Sequence, residues 1–171
     1  GSGEGGFDTI LREIIKWTDQ GAKWVSPLLI PSMISNIASG NIAIRFNASG
    51  VCVPIVTACA TGTHSIGEAY RAIKHGYADA IIAGGSEAAV NPISIAGFAN
   101  CKALTRTEDP LQASLPFDKR RAGFVLGEGA GVILLEEYEH AKARGAKMYA
   151  EVCGYGNTCD AHHITAPHPE G

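Results

Sequence analysis

Cys59 is the residue of this chain whose type and position best suit covalent chemistry. It lies where a short apolar segment, residues 51–56, gives way to a helical pattern of apolar residues at positions 66, 69, 70 and 73. At a helix N-terminus, unpaired N–H groups and the positive dipole end favour a thiolate and can receive an oxyanion. The sequence therefore predicts a nucleophile here. The alternative is a cysteine that only packs, as free cysteines often do.

The histidines are the other candidates for chemistry. His64 follows Cys59 by five residues, about 140° around a helix axis, so we expect it to point away from the sulfur and to be structural. Three histidines lie in residues 160–168, at positions 162, 163 and 168. Adjacent histidines on a loop seldom converge on one ion, so we expect no metal. A histidine lining a substrate pocket is the functional interpretation, and a surface loop is the alternative.

Composition limits the possible partners. Lys and Arg total 14 and Asp and Glu total 17, a net charge of −3, which favours neither nucleic acid nor an anionic membrane as partner. The sequence shows no signal peptide, no membrane-length apolar run and five cysteines without a C-x-x-C pair. These features predict reduced thiols in the cytoplasm. The glycine run at residues 1–6 fits G-x-G-x-x-G, but no strand precedes it, so we interpret it as a turn.

The elements that would position these residues alternate between helix and strand. The sequence predicts a helix from residue 7 that ends at Gly21, one opened by Pro31 and closed by Gly40, one after Cys59 that ends at Gly76, and others over 93–103 and 136–144. It predicts strands over 51–56, 78–85, 131–135 and from 148 to 153, with a long loop over 105–121. Strands that are apolar on both faces indicate an α/β fold whose sheet is covered on both sides.

Four motifs in order resemble one family. They are residues 57–62 (TACATG), 79–87 (DAIIAGGSE), 116–131 (PFDKRRAGFVLGEGAG) and 160–165 (DAHHIT). Together they are similar to the β-ketoacyl-acyl carrier protein synthases of the elongating class, within the thiolase superfamily. The resemblance implies a layered αβαβα fold. Residues 1–147 would be most of its N-terminal half and residues 148–171 the start of its C-terminal half, so we expect a piece of a larger protein.

The resemblance also implies a mechanism. Cys59 would take an acyl chain from acyl carrier protein as a thioester, and the carbanion of decarboxylated malonyl-carrier protein would attack it. The product would be a 3-oxoacyl chain two carbons longer. No cofactor is implied, because the substrates are carried on the phosphopantetheine of the carrier protein. The backbone N–H of Cys59 would be one oxyanion-hole donor.

Several other positions match the family's pattern. Phe98 and Ile30 match acyl-pocket positions, the second near the dimer interface, and His163 and Thr165 match residues near the phosphopantetheine entrance. Lys102 matches a basic position on the face that docks the acidic carrier protein. The alternative for Lys102 is an ordinary solvated lysine. The family is usually a homodimer.

Departures from the family's pattern limit the activity that we expect of this chain. The two catalytic histidines, a catalytic-site lysine, a glycine-rich gate and the first strands are not found, so we expect this chain alone to be inactive in condensation. Ala122 stands where the family often has Asp. Glu4 stands where the family usually has an apolar residue at the floor of the acyl pocket. Its carboxylate would shorten the pocket, make it polar or point elsewhere, since burying it unpaired would be costly.

Four alternatives remain beside the elongating enzyme. One is a non-catalytic segment that binds carrier protein or a partner subunit; Cys59 argues against it and the missing histidines argue for it. A polyketide ketosynthase relative is the second. A thiolase that uses coenzyme A is disfavoured by the motif at residues 118–131. A cysteine hydrolase would need a paired histidine that the sequence does not place.

Overall fold

The computed structural model describes residues 1–171, which form six helices and two strands. The helices are α1 (Phe7–Gln20), α2 (Leu29–Met33), α3 (Ile37–Phe46), α4 (Thr61–Lys74), α5 (Pro92–Asn100) and α6 (Tyr138–Ala143), and the strands are β1 (Ala80–Glu87) and β2 (Gly129–Glu136). Single 3₁₀ turns occur at Ala22–Trp24, Ala58–Ala60 and Pro110–Gln112. The longest helices have 14 residues, and none of the helices is long and apolar enough to cross a bilayer.

The two strands form an antiparallel pair on which α4 packs. Their register runs from Ala80 opposite Glu136 to Glu87 opposite Gly129. Helix and sheet approach closely at two glycines: a Cβ built on Gly85 would lie 3.0 Å from the Cα of Gly62. Glycine at this contact lets the first turn of α4 rest directly on the backbone of β1.

The glycine run at the N-terminus lies beside β1, on the edge opposite β2. The backbone N–H of Ser86 donates to the carbonyl of Gly1 at 3.0 Å, and the nitrogen of Gly1 donates to the carbonyl of Gly84 at 2.9 Å. This pairing places residues 2–6 at the end of β1, next to the turn that carries Cys59.

Most predicted elements are confirmed, with shifted ends. Helix α1 stops at Gly21, whose φ of 91° is a conformation that glycine adopts easily and other residues rarely do. Asn91 caps α5, because its side chain accepts a hydrogen bond from the Ser94 N–H at 3.0 Å. The predicted helix over 136–144 begins two residues later, because Glu136 ends β2. Glu137 becomes the N-cap of α6, accepting from His140 N–H at 2.7 Å.

The predicted helix from Pro31 to Gly40 is wrong. The structure has two helices there, and Gly40 lies inside α3. Helix α3 ends instead at Asn47, which adopts the left-handed conformation (φ 50°, ψ 41°) and donates its backbone N–H to the last turn. Asparagine tolerates this conformation better than most residues, so it takes the role that we had assigned to glycine.

Two predicted strands are also wrong. Residues 51–56 and 148–153 have no strand partner, and a segment without a hydrogen-bonded neighbour forms no ladder. The edge of β1 that faces away from β2 forms hydrogen bonds with Gly1 instead of with another strand. Helix α4 covers β1, whereas Val132 and Leu134 of β2 remain 51% and 57% exposed.

Candidate active site

Cys59 lies on a tight turn that leads directly into α4. It is the middle residue of the 3₁₀ turn Ala58–Ala60, and its side chain is exposed. The preceding residue, Ala58, has a φ of 51°, a conformation that non-glycine residues rarely adopt and that the surroundings must hold in place. A strained residue just before an exposed thiol is typical of a turn built to present a reactive side chain.

Hydrogen bonds across the turn connect it to the first turn of α4. The hydroxyl of the buried Thr61 accepts from the N–H of Thr57 at 2.9 Å, and the N–H of Ala60 donates to the carbonyl of Thr57 at 3.1 Å. The hydroxyl of Ser65 donates to the carbonyl of Thr61 at 2.8 Å. The N–H of Cys59 donates to no side chain and to no loop carbonyl, which makes it a candidate donor to an oxyanion.

A second loop, residues 2–4, lies against this turn and is held by a carboxylate. Glu87, the last residue of β1, accepts hydrogen bonds from the Ser2 hydroxyl and from the N–H groups of Gly3 and Glu4, at 2.8 to 3.3 Å. Burial, and then the negative charge of Glu87, raises the pKa of the Glu4 carboxyl. The end of β1 and the start of α4 thus meet through this loop.

A cavity of about 530 Å³ opens beside the same loop. Its lining comes from the glycine run, the segment around α2 and α3, and the facing ends of β1 and β2; the polar members include Ser2, Ser35, Ser86, Glu87 and Glu128. Neither Cys59 nor any of the pocket residues expected from sequence lines it. Glu4, expected at a pocket floor, does not line it either, although Gly5 and Gly6 do.

The other expected site residues lie at separate places. Phe98, on α5, stacks edge-to-face on Phe124 with ring centres 5.2 Å apart, while Ile30 lies on α2 and is 58% exposed. His163 and Thr165 share an exposed loop, in which the Thr165 N–H donates to Nδ1 of His163 at 3.1 Å. No hydrogen bond or ring contact connects any of these residues to Cys59. Their roles stay predictions.

Lys102 lies in the turn after α5. Its φ is 59°, and its side chain is exposed. Its side chain makes no ion pair or hydrogen bond within the chain, so the amine is open to an acidic partner. That role also stays a prediction.

The histidines make packing contacts. His64 lies on α4 and meets the ring of Tyr155 edge-to-face at 6.1 Å, as expected of a structural residue. His162 and His168 stack at 5.0 Å. No group of three or more His, Cys, Asp or Glu side chains is arranged to hold a metal ion.

Sequence reasoning missed Glu87 and Tyr155. Glu87 enters the sequence analysis only as the end of a strand motif, since the Gly3 and Glu4 N–H groups that donate to it lie more than 80 positions away in the chain. The signal for Tyr155 was Gly67: a glycine inside a helix suggests that something packs closely there, and the Tyr155 ring does.

The chain belongs to the β-ketoacyl synthase family, because the family model for the N-terminal domain matches residues 1–141. Curated relatives named 3-oxoacyl-[acyl-carrier-protein] synthase 2 are 53% identical in Synechocystis sp., 51% in Vibrio harveyi and 48% in Staphylococcus aureus. Each match covers the whole chain and 41–42% of the relative.

Solved structures agree in fold. A β-ketoacyl synthase from Burkholderia phymatum matches 99% of the chain and 42% of its own, with a TM-score of 0.90 and 35% identity. A type II polyketide ketosynthase, solved in complex with its acyl carrier protein, matches 92% of the chain and 40% of its own, with a TM-score of 0.84 and 36% identity. The predicted thiolase-like α/β fold is therefore confirmed. The chain spans about two fifths of these proteins.

Proposed function

We propose that the whole protein is a 3-oxoacyl-[acyl-carrier-protein] synthase of fatty acid elongation and that Cys59 is its acyl-accepting nucleophile. The observation that carries this proposal is the turn at Cys59. An exposed thiol follows a strained residue and precedes a 14-residue helix, and the N–H of Cys59 donates to no side chain or loop carbonyl. That arrangement occurs in a chain about half identical to enzymes of this name.

The geometry supports acyl transfer in a definite way. The Cys59 sulfur attacks the thioester carbonyl of acyl-carrier protein, and the oxyanion is received by the Cys59 N–H at the positive end of α4. A carbon–sulfur bond forms to Cys59 and the bond to the phosphopantetheine sulfur breaks, so that the carrier thiol leaves with a proton. No cofactor resident in the protein is needed for this step.

The second half of the reaction is part of the same proposal. Malonyl-carrier protein loses carbon dioxide, and its carbanion attacks the acyl-Cys59 thioester to give the 3-oxoacyl product and a free thiol. By the family resemblance, the histidines that assist decarboxylation belong to later motifs that are not in these 171 residues. We therefore expect the 171-residue chain alone not to catalyse the condensation. A homodimer, a cytoplasmic location and carrier-protein docking at Lys102 belong to the proposal too.

The names of the curated relatives are the reason to prefer fatty acid elongation over polyketide synthesis: those named 3-oxoacyl-[acyl-carrier-protein] synthase 2 are 48–53% identical to the chain. Among the solved structures, the β-ketoacyl synthase and the polyketide ketosynthase are equally similar, at 35% and 36% identity. The alternative of a segment that only binds a partner is tested by the same acyl-transfer experiment.

The test is an acyl-enzyme trap. The whole protein is mixed with a saturated acyl-carrier protein, quenched in acid and digested, and its cysteine peptides are weighed by mass spectrometry. We expect the acyl group on Cys59, none in Cys59→Ala, and an unchanged result in the control Cys101→Ala. An acyl group on another cysteine, or on none, would contradict the assignment. In a separate reaction that is not quenched, adding malonyl-carrier protein should release a 3-oxoacyl product from the whole protein and none from residues 1–171 alone.

A further inference from the structure

The carboxylate of Glu87 collects an unusual number of donors from one short loop. The Ser2 hydroxyl donates to Oε1 at 3.0 Å, the N–H of Gly3 to Oε2 at 2.8 Å, and the N–H of Glu4 to both oxygens at 3.2 and 3.3 Å. The Ser2 oxygen in turn accepts from the N–H of Gly5 at 2.9 Å, and Ser2 is buried. Hydrogen bonds to a charged acceptor are stronger than neutral ones, so this loop is fixed to the end of β1.

Gly3 lies between this carboxylate and the cysteine turn. A Cβ built on Gly3 would be 2.8 Å from Oε2 of Glu87, 3.6 Å from the carbonyl oxygen of Ala58 and 3.8 Å from its Cα. Only the width of a glycine therefore separates Glu87 from the residue that precedes Cys59.

The turn needs such support from outside. Ala58 is in the left-handed region, and the hydrogen bonds of the turn, including the one from the Thr61 N–H to the Ala58 carbonyl, join residues 57–61 to one another. Gly3 connects the turn to Glu87 at the end of β1, which lies more than 25 positions after Ala58 in the chain. A strained residue persists only where the surrounding structure determines its conformation, and Gly3 supplies part of that surrounding structure.

We propose that Glu87 is a positioning residue for Cys59: its carboxylate holds Gly3 against Ala58 and so fixes the direction of the Cys59 sulfur relative to α4. Glu87 needs no contact with a substrate in this role. The proposal rests on the proposed function only in taking Cys59 as the nucleophile.

The test compares the reactivity of Cys59 with that of the other four cysteines in the whole protein. The variants are Glu87→Gln, which keeps one acceptor oxygen, and Glu87→Ala, which keeps none. Glu128→Gln is the matched control, since Glu128 lines the same cavity but accepts one bond, from the Val90 N–H at 2.9 Å. Each protein is treated with limiting iodoacetamide, and alkylation at every cysteine is followed by mass spectrometry with circular dichroism alongside.

We expect Glu87→Ala to lower the alkylation rate of Cys59 relative to Cys101 by about tenfold, since misplacement of a reacting group by 1 Å has effects of that order or more. Glu87→Gln should lie between it and the wild type, and Glu128→Gln should match the wild type. Gly3→Ala gives an independent variant that leaves Glu87 in place. Its methyl group would meet Oε2 of Glu87 at 2.8 Å, and the same selective loss is expected.

Two results would overturn the proposal. One is an unchanged ratio of Cys59 to Cys101 alkylation in both Glu87→Ala and Gly3→Ala. The other is a rise in the reactivity of all five cysteines together with a lower melting temperature, which would mean that Glu87 only stabilises the fold. Neither readout depends on condensation, so failure of the acyl-enzyme trap and failure of this proposal are separate outcomes.

Discussion

The aromatic ring of Tyr155 lies on the backbone of Gly67, in the space that a side chain at position 67 would occupy. The guanidinium carbon of Arg71 lies 4.8 Å from the centre of the same ring. Since Gly67 and Arg71 are one turn apart on α4, the ring covers one face of that helix. The C-terminal segment is thereby attached to the helix that begins beside Cys59.

Gly67→Ala should destabilise the whole protein, because the new methyl group would occupy the position of the Tyr155 ring. Overpacking of this kind costs about 1–3 kcal/mol. The measurement is the free energy of unfolding in urea. The matched control is Gly97→Ala in α5, where a Cβ meets nothing within 4 Å. That change should stabilise the helix by about 0.5–1 kcal/mol, because alanine favours helix more than glycine does. Equal effects at both sites would contradict the packing that we describe.

Tyr155→Phe should leave stability unchanged or raise it slightly, since the buried Tyr155 hydroxyl has no hydrogen-bond partner. Tyr155→Ala should cost about 3 kcal/mol, because it removes the ring that covers α4. The control is Tyr70→Phe, which removes the bond from the Tyr70 hydroxyl to the carbonyl of Cys153 at 3.1 Å and should cost about 1 kcal/mol. Urea unfolding distinguishes the three variants. A loss in Tyr155→Phe larger than in Tyr70→Phe would show that the Tyr155 hydroxyl is bonded in solution.

Ala58→Gly should stabilise the protein by about 0.5–1 kcal/mol, because glycine adopts the positive φ of this position without strain. Ala60→Gly is the control. Ala60 has a φ of −87° and a ψ of −1°, so glycine there brings only its greater flexibility and should cost about 0.5–1 kcal/mol. Thermal melting of both variants gives the comparison. A lower melting temperature for Ala58→Gly would mean that Ala58 is not strained.

Glu136 should make stability depend on pH in the acid range. The hydrogen bonds from Arg144, and next those from His140, lower the pKa of Glu136 from 4.5 to about 2. A lowered pKa means that the folded state binds this proton less readily than the unfolded state. The stabilisation is therefore complete above about pH 4.5 and is lost as the pH falls through about 2.

Glu136→Gln provides the measurement. The difference in urea midpoint between wild type and Glu136→Gln should be constant near neutral pH, shrink below pH 4.5 and be smallest near pH 2. The control is Glu139→Gln, whose exposed partner Lys142 lies 3.5 Å away and should matter little. A midpoint difference that does not change with pH would refute the ion-pair account.

Local patterns were enough to predict the helices with clear start and stop residues. Gly21 is such a signal, and the helix after Cys59 follows its apolar spacing. The predicted strands over 51–56 and 148–153 failed because strand formation depends on a partner, which no local pattern supplies. Asn47 shows a related limit, since a left-handed cap by a non-glycine residue is decided by the fold around it.

The candidate site was predictable where one residue and its neighbours sufficed. Cys59 and the helix behind it could be inferred from a few consecutive positions. The support from Glu87 could not, because it joins residues 2–4 to residue 87 across more than 80 positions. Phe98, Ile30, His163, Thr165 and Lys102 came from family resemblance, and only acylation and docking experiments address their roles.

The exposure of β2 determines how experiments on these 171 residues should be read. Strand β2 pairs on one edge only, and its apolar side chains are about half exposed on both faces. Such a strand promotes aggregation through its free edge when the chain is warmed. Heating the bare segment should therefore end in an irreversible precipitate whose onset shifts with scan speed and concentration. Its melting curves would report a rate of loss, so equilibrium comparisons between variants need denaturant, low concentration and the whole protein.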